Sequence, residues 1–249
     1  MAGHNKWSKV KHIKAVVDAR RGKVFSKLAK EISVAAKHGG GNPDSNARLR
    51  SAILAARAQN VPNDNIDRAI KKGTGELGGN AIEEITYEAY APGGTAMMIE
   101  IVTDNRNRAA ADLRSLLFKN NGTFADAGSV AYMFQRRGEI RLPKDGLTED
   151  QITEAALDAG AEDVQEDGED WVLYTATDQL FAVGNGLKEK NLTPASQKLI
   201  QHPGTLITIE DPELARQVVR LYDILDDYDD TQNVYANFDL SDEAAAALE

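Results

Sequence analysis

Cysteine is absent from all 249 residues of the chain. This absence excludes disulfide bonds, thiolate metal sites and cysteine nucleophiles. Long apolar runs are lacking too: Ala96–Ile99 is followed directly by Glu100, whereas a membrane-spanning helix needs about 18 consecutive apolar residues. The charged N-terminus is not followed by the apolar segment of a secretory signal. We therefore expect a cytoplasmic protein that makes no membrane contact.

The sequence motifs of common enzyme classes are absent as well. There is no G-x-x-x-x-G-K-[S/T], no G-x-G-x-x-G after a strand and no G-x-S-x-G. The acidic run Asp226–Asp230 lacks the glycine and terminal glutamate of a calcium loop, and we interpret it as the solvated end of a helix. Neither H-E-x-x-H spacing nor cysteine partners for zinc accompany the four histidines, which are His4, His12, His38 and His202. The sequence predicts no catalysis, no cofactor and no metal.

Positive charge is scarce overall but concentrated at one end, and the net charge is −10. Residues 1–75 contain 16 Lys and Arg against 5 Asp and Glu, whereas residues 76–249 contain 13 against 34. A basic surface binds nucleic acid because phosphate contacts release condensed counterions. The acidic part would be repelled by the same polymer. This division predicts nucleic acid as the partner of the N-terminal quarter.

The basic part has the pattern of a small helical domain preceded by an arm. Within Val24–Lys37 apolar side chains recur at helical spacing, and lysines lie on the opposite face, where they present ammonium groups. Residues 39–43, with the sequence GGGNP, end this helix. A second helix follows with Asp44 or Ser45 as its cap, and a third opens at Pro62.

The acidic part alternates strands and helices. The glycine-rich residues 73–79 resemble a linker, at the point where the charge changes sign. Strands are expected at Ser129–Phe134 and Val234–Phe238. Asp104 is expected to cap one helix, and Asp211-Pro212 to open another with proline at its first position. The pattern predicts an α+β fold: a three-helix N-terminal domain with a basic arm, then two α/β sandwich domains.

Cationic side chains of the arm and of the helices are the candidate contacts with nucleic acid. Lysines act as point charges on phosphate, whereas Arg, Asn and Gln suit bidentate reading of bases. Trp7 stacks on an exposed base or anchors the arm to the helical domain. The predicted nucleic-acid-binding residues are Lys6, Trp7, Lys9, Lys11, His12, Lys14, Arg20, Arg21, Lys23, Lys27, Lys30, Arg48 and Arg50.

A second anion contact is predicted at Arg106 and Arg108. Both follow the end of a strand and lie at the start of a helix, where backbone amides favour anions. They contact phosphate or protein there, or they pair with neighbouring acids; the sequence leaves both alternatives open.

Nine segments of the sequence resemble the YebC/PmpR family, and together they extend along most of the chain. They are Met1–Trp7, Arg21–Leu28, Gly39–Pro43, Asn46–Arg50, Arg68–Gly73, Tyr87–Gly94, Thr103–Arg108, Gly128–Phe134 and Ala159–Val164. The resemblance implies three domains: a helical one, and two α/β domains of which one is inserted in the other. The expected divisions are 1–78, 79–135 plus 204–249, and 136–203.

The resemblance also implies a cytosolic regulator of gene expression without catalytic residues. Members of the family are usually assigned as transcriptional regulators that bind DNA, and some are described as translation factors that act at the ribosome. Two partners therefore stay open, namely promoter DNA, and ribosomal RNA or tRNA contacted through the basic arm. A lysine-rich arm suits phosphate contact with little sequence reading. We expect a monomer.

Overall fold

The computed structural model describes residues 21–78 and 80–248. Within them lie eight α-helices and ten β-strands. The N-terminal helices are α1 (Arg21–Gly39), α2 (Ala47–Ala58) and α3 (Asn63–Gly73). Next come β1 (Glu83–Tyr90), β2 (Ala96–Thr103), α4 (Arg106–Lys119), β3 (Thr123–Ala125), β4 (Phe134–Pro143), α5 (Glu149–Ala159), β5 (Asp163–Asp167), β6 (Asp170–Thr175), α6 (Leu180–Glu189) and β7 (Ser196–Pro203). The last elements are β8 (Ile207–Ile209), α7 (Pro212–Asp226), β9 (Thr231–Ala236), β10 (Phe238–Leu240) and α8 (Asp242–Ala246).

Helices α1 to α3 pack around a small apolar core of their own. Ile32, Leu49 and Ile66 are buried in it, because apolar residues at helical spacing line one face of each helix. Gly73 lets α3 approach α1 closely, since a Cβ there would lie 2.2 Å from the carbonyl oxygen of Ser33. The N-terminal part is therefore a compact three-helix unit.

Two predicted helix caps are wrong by one or two positions. Asn46, and neither Asp44 nor Ser45, caps α2, because its side chain accepts a hydrogen bond from the N–H of Leu49. Asn105, and not Asp104, caps α4 in the same way. Asparagine is as good a cap as aspartate, so the residue types alone could not select the position.

The first sheet has the strand order β3-β1-β2-β9, and its neighbouring strands are antiparallel. Helices α4 and α7 cover one face, where Leu113, Leu117 and Leu221 are fully buried against strand residues such as Ile99. The cap at Asp211, followed by proline at the first position of α7, is confirmed. This layer of helices on an antiparallel sheet holds the largest core of the protein.

A second four-stranded sheet, of order β5-β6-β4-β7, comes from one continuous stretch of chain. Helices α5 and α6 pack on it through a core that includes Ile140, Ile152 and Leu187. In the chain this stretch follows β3 of the first sheet, and β8 and α7 come after it before β9 returns to the first sheet. The exact domain limits stay a prediction.

Two of the predicted strands are wrong. Residues 129–133 form a turn and a short 3-10 helix before β4 begins at Phe134. The single strand expected at Val234–Phe238 is divided into β9, which joins the first sheet, and β10, which pairs in parallel with β8. Asn237 separates them, and its side chain accepts a hydrogen bond from the N–H of Ala96.

The α+β fold class is confirmed by these helices and sheets. No helix in residues 21–78 or 80–248 is long and apolar enough to cross a membrane.

Candidate nucleic-acid interface

The lysine face of α1 lies against the acidic run that follows α7. We define the lysine face as Lys23, Lys27 and Lys30, and the acidic segment as Asp226–Asp230. Lys23 Nζ lies 2.9 Å from a carboxylate oxygen of Asp227, and Lys27 Nζ lies 2.9 Å from one of Asp226. Lys30 Nζ lies 3.0 Å from Asp230 Oδ1. Successive turns of one helix thus place three ammonium groups opposite three carboxylates.

Backbone carbonyls in the acidic segment take part as well. Lys23 donates a hydrogen bond to the carbonyl oxygen of Asp227 at 2.8 Å, and Lys30 donates one to that of Asp229. The C-terminal end of a helix carries a partial negative charge and free carbonyl groups. Acids at that position are unfavourable on their own, so the lysines offset both the dipole and the carboxylates.

Asp230 is the centre of this contact, with only 8% of its surface exposed. Its Oδ2 accepts hydrogen bonds from Arg108 Nη2 at 2.8 Å and from Thr103 Oγ1 at 2.9 Å. Burial raises the pKa of the Asp230 carboxyl, but the hydrogen bonds from Arg108, Lys30 and Thr103 outweigh burial and hold the pKa below its usual value. The hydrogen bond to Asp230 in turn raises the pKa of Arg108.

Asp226–Asp230 does lie at the end of α7, as predicted, but three of its carboxylates are paired with lysines and not only solvated. The ammonium groups that α1 presents face these carboxylates, so the two charged surfaces neutralise each other. The paired lysines and aspartates are about 200 residues apart in the chain, and no local sequence pattern predicts that they meet. A nucleic-acid contact of Lys23, Lys27 or Lys30 stays a prediction, and it would require these ion pairs to open.

Arg48 and Arg50 differ in their surroundings. Arg48 forms a two-pronged ion pair with Glu31, at 2.8 and 3.1 Å, and a longer one with Glu84 at 3.4 Å. Arg50 is exposed and donates to the carbonyl oxygens of Pro43 and Asp44, at 2.9 and 3.2 Å. Of the two, only Arg50 keeps a guanidinium without a carboxylate partner in the described part of the chain.

Four exposed cations on α2 and α3 were not among the predicted contacts. Within residues 21–78 and 80–248 their side chains form no hydrogen bond or ion pair; they are Arg57, Arg68, Lys71 and Lys72. The sequence signal for them was present, since all four lie on the polar faces of amphipathic helices.

The remaining predicted contacts lie outside the part of the chain for which side chains are described. They are Lys6, Trp7, Lys9, Lys11, His12, Lys14, Arg20 and Arg21. Their assignment to nucleic acid stays a prediction.

The two residues of the predicted second anion contact, Arg106 and Arg108, have different surroundings in the structure. Arg108 pairs with Asp104 at 3.2 Å and with Asp230 at 2.8 Å, which is the alternative of pairing with neighbouring acids. Arg106 is exposed, and its guanidinium has no hydrogen bond or ion pair with the described residues. Arg106 instead lines a cleft with Tyr87 and Phe124.

Metal ligands are not clustered in the described ranges. No group of three or more His, Cys, Asp or Glu side chains there could hold a metal ion. The charged side chains of the site are instead arranged as ion pairs and as exposed cations, and the exposed cations can bind anions.

Comparison with known proteins gives matches along almost the whole chain. Residues 5–76 match the model of the TACO1/YebC protein N-terminal domain, and residues 82–238 match that of the TACO1/YebC second and third domain. The chain is 53% identical to a probable transcriptional regulatory protein of Akkermansia muciniphila, with both chains covered completely. It is 51% identical to a protein of the same description from Thermobifida fusca, again over the full length of both.

A solved structure resembles the fold. The crystal structure of the conserved hypothetical protein Aq1575 from Aquifex aeolicus superposes with a TM-score of 0.86 at 43% sequence identity. The match covers 91% of this chain and 93% of the other.

Proposed function

Since the chain belongs to the TACO1/YebC family, we propose that it is a nucleic-acid-binding regulator of gene expression that acts without catalysis. The observation that carries the proposal is the division of charge. Residues 1–75 carry a net charge of +11 in a chain of net charge −10, and α2 and α3 display exposed cations without carboxylate partners in the described residues. Phosphate is the partner that such a surface selects.

Contact is made by the basic arm, residues 1–20, together with the exposed cations of α2 and α3. The lysine face of α1 has a different role, because its charge is already neutralised by the acidic segment. That contact holds the helical domain against the acidic domains. The negative charge of residues 76–249 repels the polymer from the rest of the surface.

Promoter DNA is the proposed target, and the description of the relatives as probable transcriptional regulatory proteins supports it. The lysine-rich composition of the arm favours the second candidate, a translation factor that contacts ribosomal RNA or tRNA, because lysines bind phosphate without reading bases. The two candidates share the interface and differ in the polymer that occupies it.

The experiment measures both targets with one set of variants. Gel shift of promoter fragments, with competitor RNA, is compared with co-sedimentation of the protein with ribosomes at moderate salt. The arm variant Lys9→Glu/Lys11→Glu/Lys14→Glu is expected to lose binding while its circular dichroism and melting temperature stay unchanged. A gel shift of promoter DNA that persists with competitor RNA, in a protein that does not co-sediment with ribosomes, supports the transcriptional role. Co-sedimentation that persists at moderate salt, without a gel shift, supports the translation factor instead.

A matched control changes the net charge by the same amount at exposed cations outside the basic quarter. Lys119→Glu/Lys188→Glu/Arg220→Glu is the variant, because all three side chains are exposed. It is expected to bind as the wild type does. Equal losses in both triple variants would show that net charge alone, and no defined interface, governs binding.

A further inference from the structure

A cleft of about 360 Å³ lies between β1, β3 and α4. It is remote in sequence from the basic quarter and plays no part in the interface proposed above. Its size is at the lower end of the roughly 300–1,000 Å³ typical of small-ligand sites, which suits one nucleotide and excludes a duplex. The side chains that give it its chemistry are Tyr87, Arg106, Asn107, Arg114 and Phe124.

Two guanidinium groups in this cleft have no carboxylate partner within residues 21–78 and 80–248. Arg106 forms no hydrogen bond or ion pair through its side chain with the described residues, and Arg114 contacts the ring of Phe124, with Cζ 4.6 Å from the ring centroid. This is unexpected in a part of the chain where acids greatly outnumber bases. Arg108, two residues after Arg106 and therefore on the opposite side of the helix, has two acidic partners. Arg106 and Arg114 therefore line the cleft without an ion-paired carboxylate among the described residues.

One of the two acidic side chains that line the cleft already accepts hydrogen bonds from the backbone. The carboxylate of Glu88 accepts hydrogen bonds from the backbone N–H groups of Gly128, Val130 and Ala131, at 2.6 to 3.0 Å. Asp126 also lines the cleft, but no ion pair joins it to Arg106 or Arg114. Both guanidinium groups can therefore form ion pairs with a bound anion.

Aromatic rings lie beside these cations. The ring centroids of Tyr87 and Phe124 are 5.4 Å apart with an interplanar angle of 56°, and both side chains are partly buried. The Tyr87 hydroxyl is 3.4 Å from the backbone carbonyl oxygen of Arg106, which fixes the ring next to the start of α4. A planar base can stack on an exposed aromatic face or on a guanidinium plane.

We propose that the β1–α4 cleft binds one unpaired nucleotide of a single-stranded nucleic acid, with the phosphate on Arg106 and Arg114 and the base stacked against Tyr87 and Phe124. The inference rests on the proposed function, because it places a second contact on the same polymer. Guanidinium groups bind phosphate through two parallel hydrogen bonds. A paired base cannot reach the rings, so the cleft discriminates single strands from duplex.

The test is fluorescence anisotropy with labelled oligonucleotides of about 12 residues at about 50 mM salt. Oligo-dT, oligo-rU and a duplex of the same length are the probes. Arg106→Ala/Arg114→Ala is expected to weaken binding of single strands about 10- to 100-fold and to change duplex binding by less than about 2-fold. Equal losses on oligo-dT and oligo-rU mean that the cleft accepts both sugars; a loss on one alone identifies the source of the strand.

The matched control removes two positive charges elsewhere. Lys119 lies at the far end of the same helix, and Arg220 lies on α7; both are exposed. Lys119→Ala/Arg220→Ala is expected to retain the single-strand affinity of the wild type. A wild-type protein that binds no single strand, or a cleft variant that behaves as the control does, overturns the inference.

Stacking has its own readout. A single strand containing 2-aminopurine loses fluorescence when that base stacks, so the wild type is expected to quench it on binding. Phe124→Leu keeps an apolar side chain against the core but removes the ring, and it should abolish the quenching at an unchanged melting temperature. If the arm variant loses duplex binding while the cleft variant does not differ from the control, only the cleft inference fails and the proposed function stands.

Discussion

Single residues decide the local geometry of this protein through hydrogen bonds to the backbone, and Glu88 is the clearest case. It is 8% exposed and lies on the central part of β1. Three backbone N–H groups of residues 128–131 point at its carboxylate. Burial raises the pKa of Glu88, but these three hydrogen bonds outweigh burial and lower the pKa below its ordinary value. The Glu88 carboxylate thus accepts the backbone N–H groups of a turn that has no neighbouring strand to accept them.

Glu88→Gln is expected to lower the free energy of unfolding at neutral pH by about 1–3 kcal/mol, because an amide NH₂ cannot accept the N–H groups that the carboxylate accepts. A group whose pKa is lowered by folding stabilises the protein above its unfolded pKa, near 4.5 here, and this contribution is lost as the pH falls through the folded pKa. Urea denaturation from neutral pH to below pH 4.5 measures both effects. The Gln variant should lose less stability on acidification than the wild type.

Glu83→Gln is the matched control, since Glu83 is an exposed carboxylate on the same strand. Its substitution is expected to leave the unfolding free energy within about 0.5 kcal/mol of the wild type. If both substitutions lowered the unfolding free energy equally, the stabilising role of the hydrogen bonds between Glu88 and the turn would be refuted.

Residue-level prediction from the sequence succeeds where one position satisfies two rules at once. Asp211 is followed by a proline that fits only the first turn of a helix, and the cap was predicted correctly. At Asn46 and Asn105 neighbouring polar residues compete as caps on equal terms. The choice there depends on which side chain reaches the third N–H of the helix, and that distance is set by the turn before it.

At the scale of elements, the contact between α1 and the acidic segment joins the helical domain to the first sheet. The pair of Lys27 and Asp226 is partly exposed, with 27% and 37% of the two side chains accessible. Partly exposed pairs contribute only about 0.2–1 kcal/mol each. In this protein their contribution to stability comes from three such pairs along one helix face, of which one contains the buried Asp230.

Lys27→Glu is expected to lower the unfolding free energy by about 1 kcal/mol, since it places two carboxylates in contact. The exchanged double variant Lys27→Glu/Asp226→Lys should recover most of that loss, and a double-mutant cycle by urea denaturation measures the coupling. The pair Lys190–Asp158 is a suitable control because it is more exposed, at 40% and 60%; its Lys190→Glu variant should change stability by less than about 0.5 kcal/mol. An absence of coupling between positions 27 and 226 would contradict the docked arrangement.

The helical domain and the sheet layers could be predicted from periodicity, but their mutual contact could not. Amphipathic spacing in α1 and α7 identifies an inward face for each helix. It says nothing of which polar faces meet, because a lysine stripe has the same pattern whether phosphate, water or aspartate covers it. The ion pair between Lys30 and Asp230 depends on the path of the whole chain between them.

At the scale of the whole molecule, positive charge is divided between a docked surface and a free one. Cations that already face carboxylates gain little from phosphate, because the exchange of one anion for another offsets most of the attraction. The exposed cations of α2 and α3 have no such competitor among the described residues. The number of phosphates neutralised therefore reports which of the two surfaces nucleic acid uses.

For an interface of about five phosphate contacts, binding should weaken 10²- to 10³-fold between 50 and 200 mM salt, since the logarithm of affinity falls with a slope near −0.9 per phosphate. If the lysine face stays docked, Lys27→Ala should leave this slope unchanged, whereas Lys11→Ala in the arm should reduce it by about 1. Anisotropy titrations over that salt range measure both variants against the wild type. A slope that falls by about 1 in the Lys27 variant would mean that nucleic acid displaces the acidic segment, and a flat salt response in the wild type would refute the electrostatic interface.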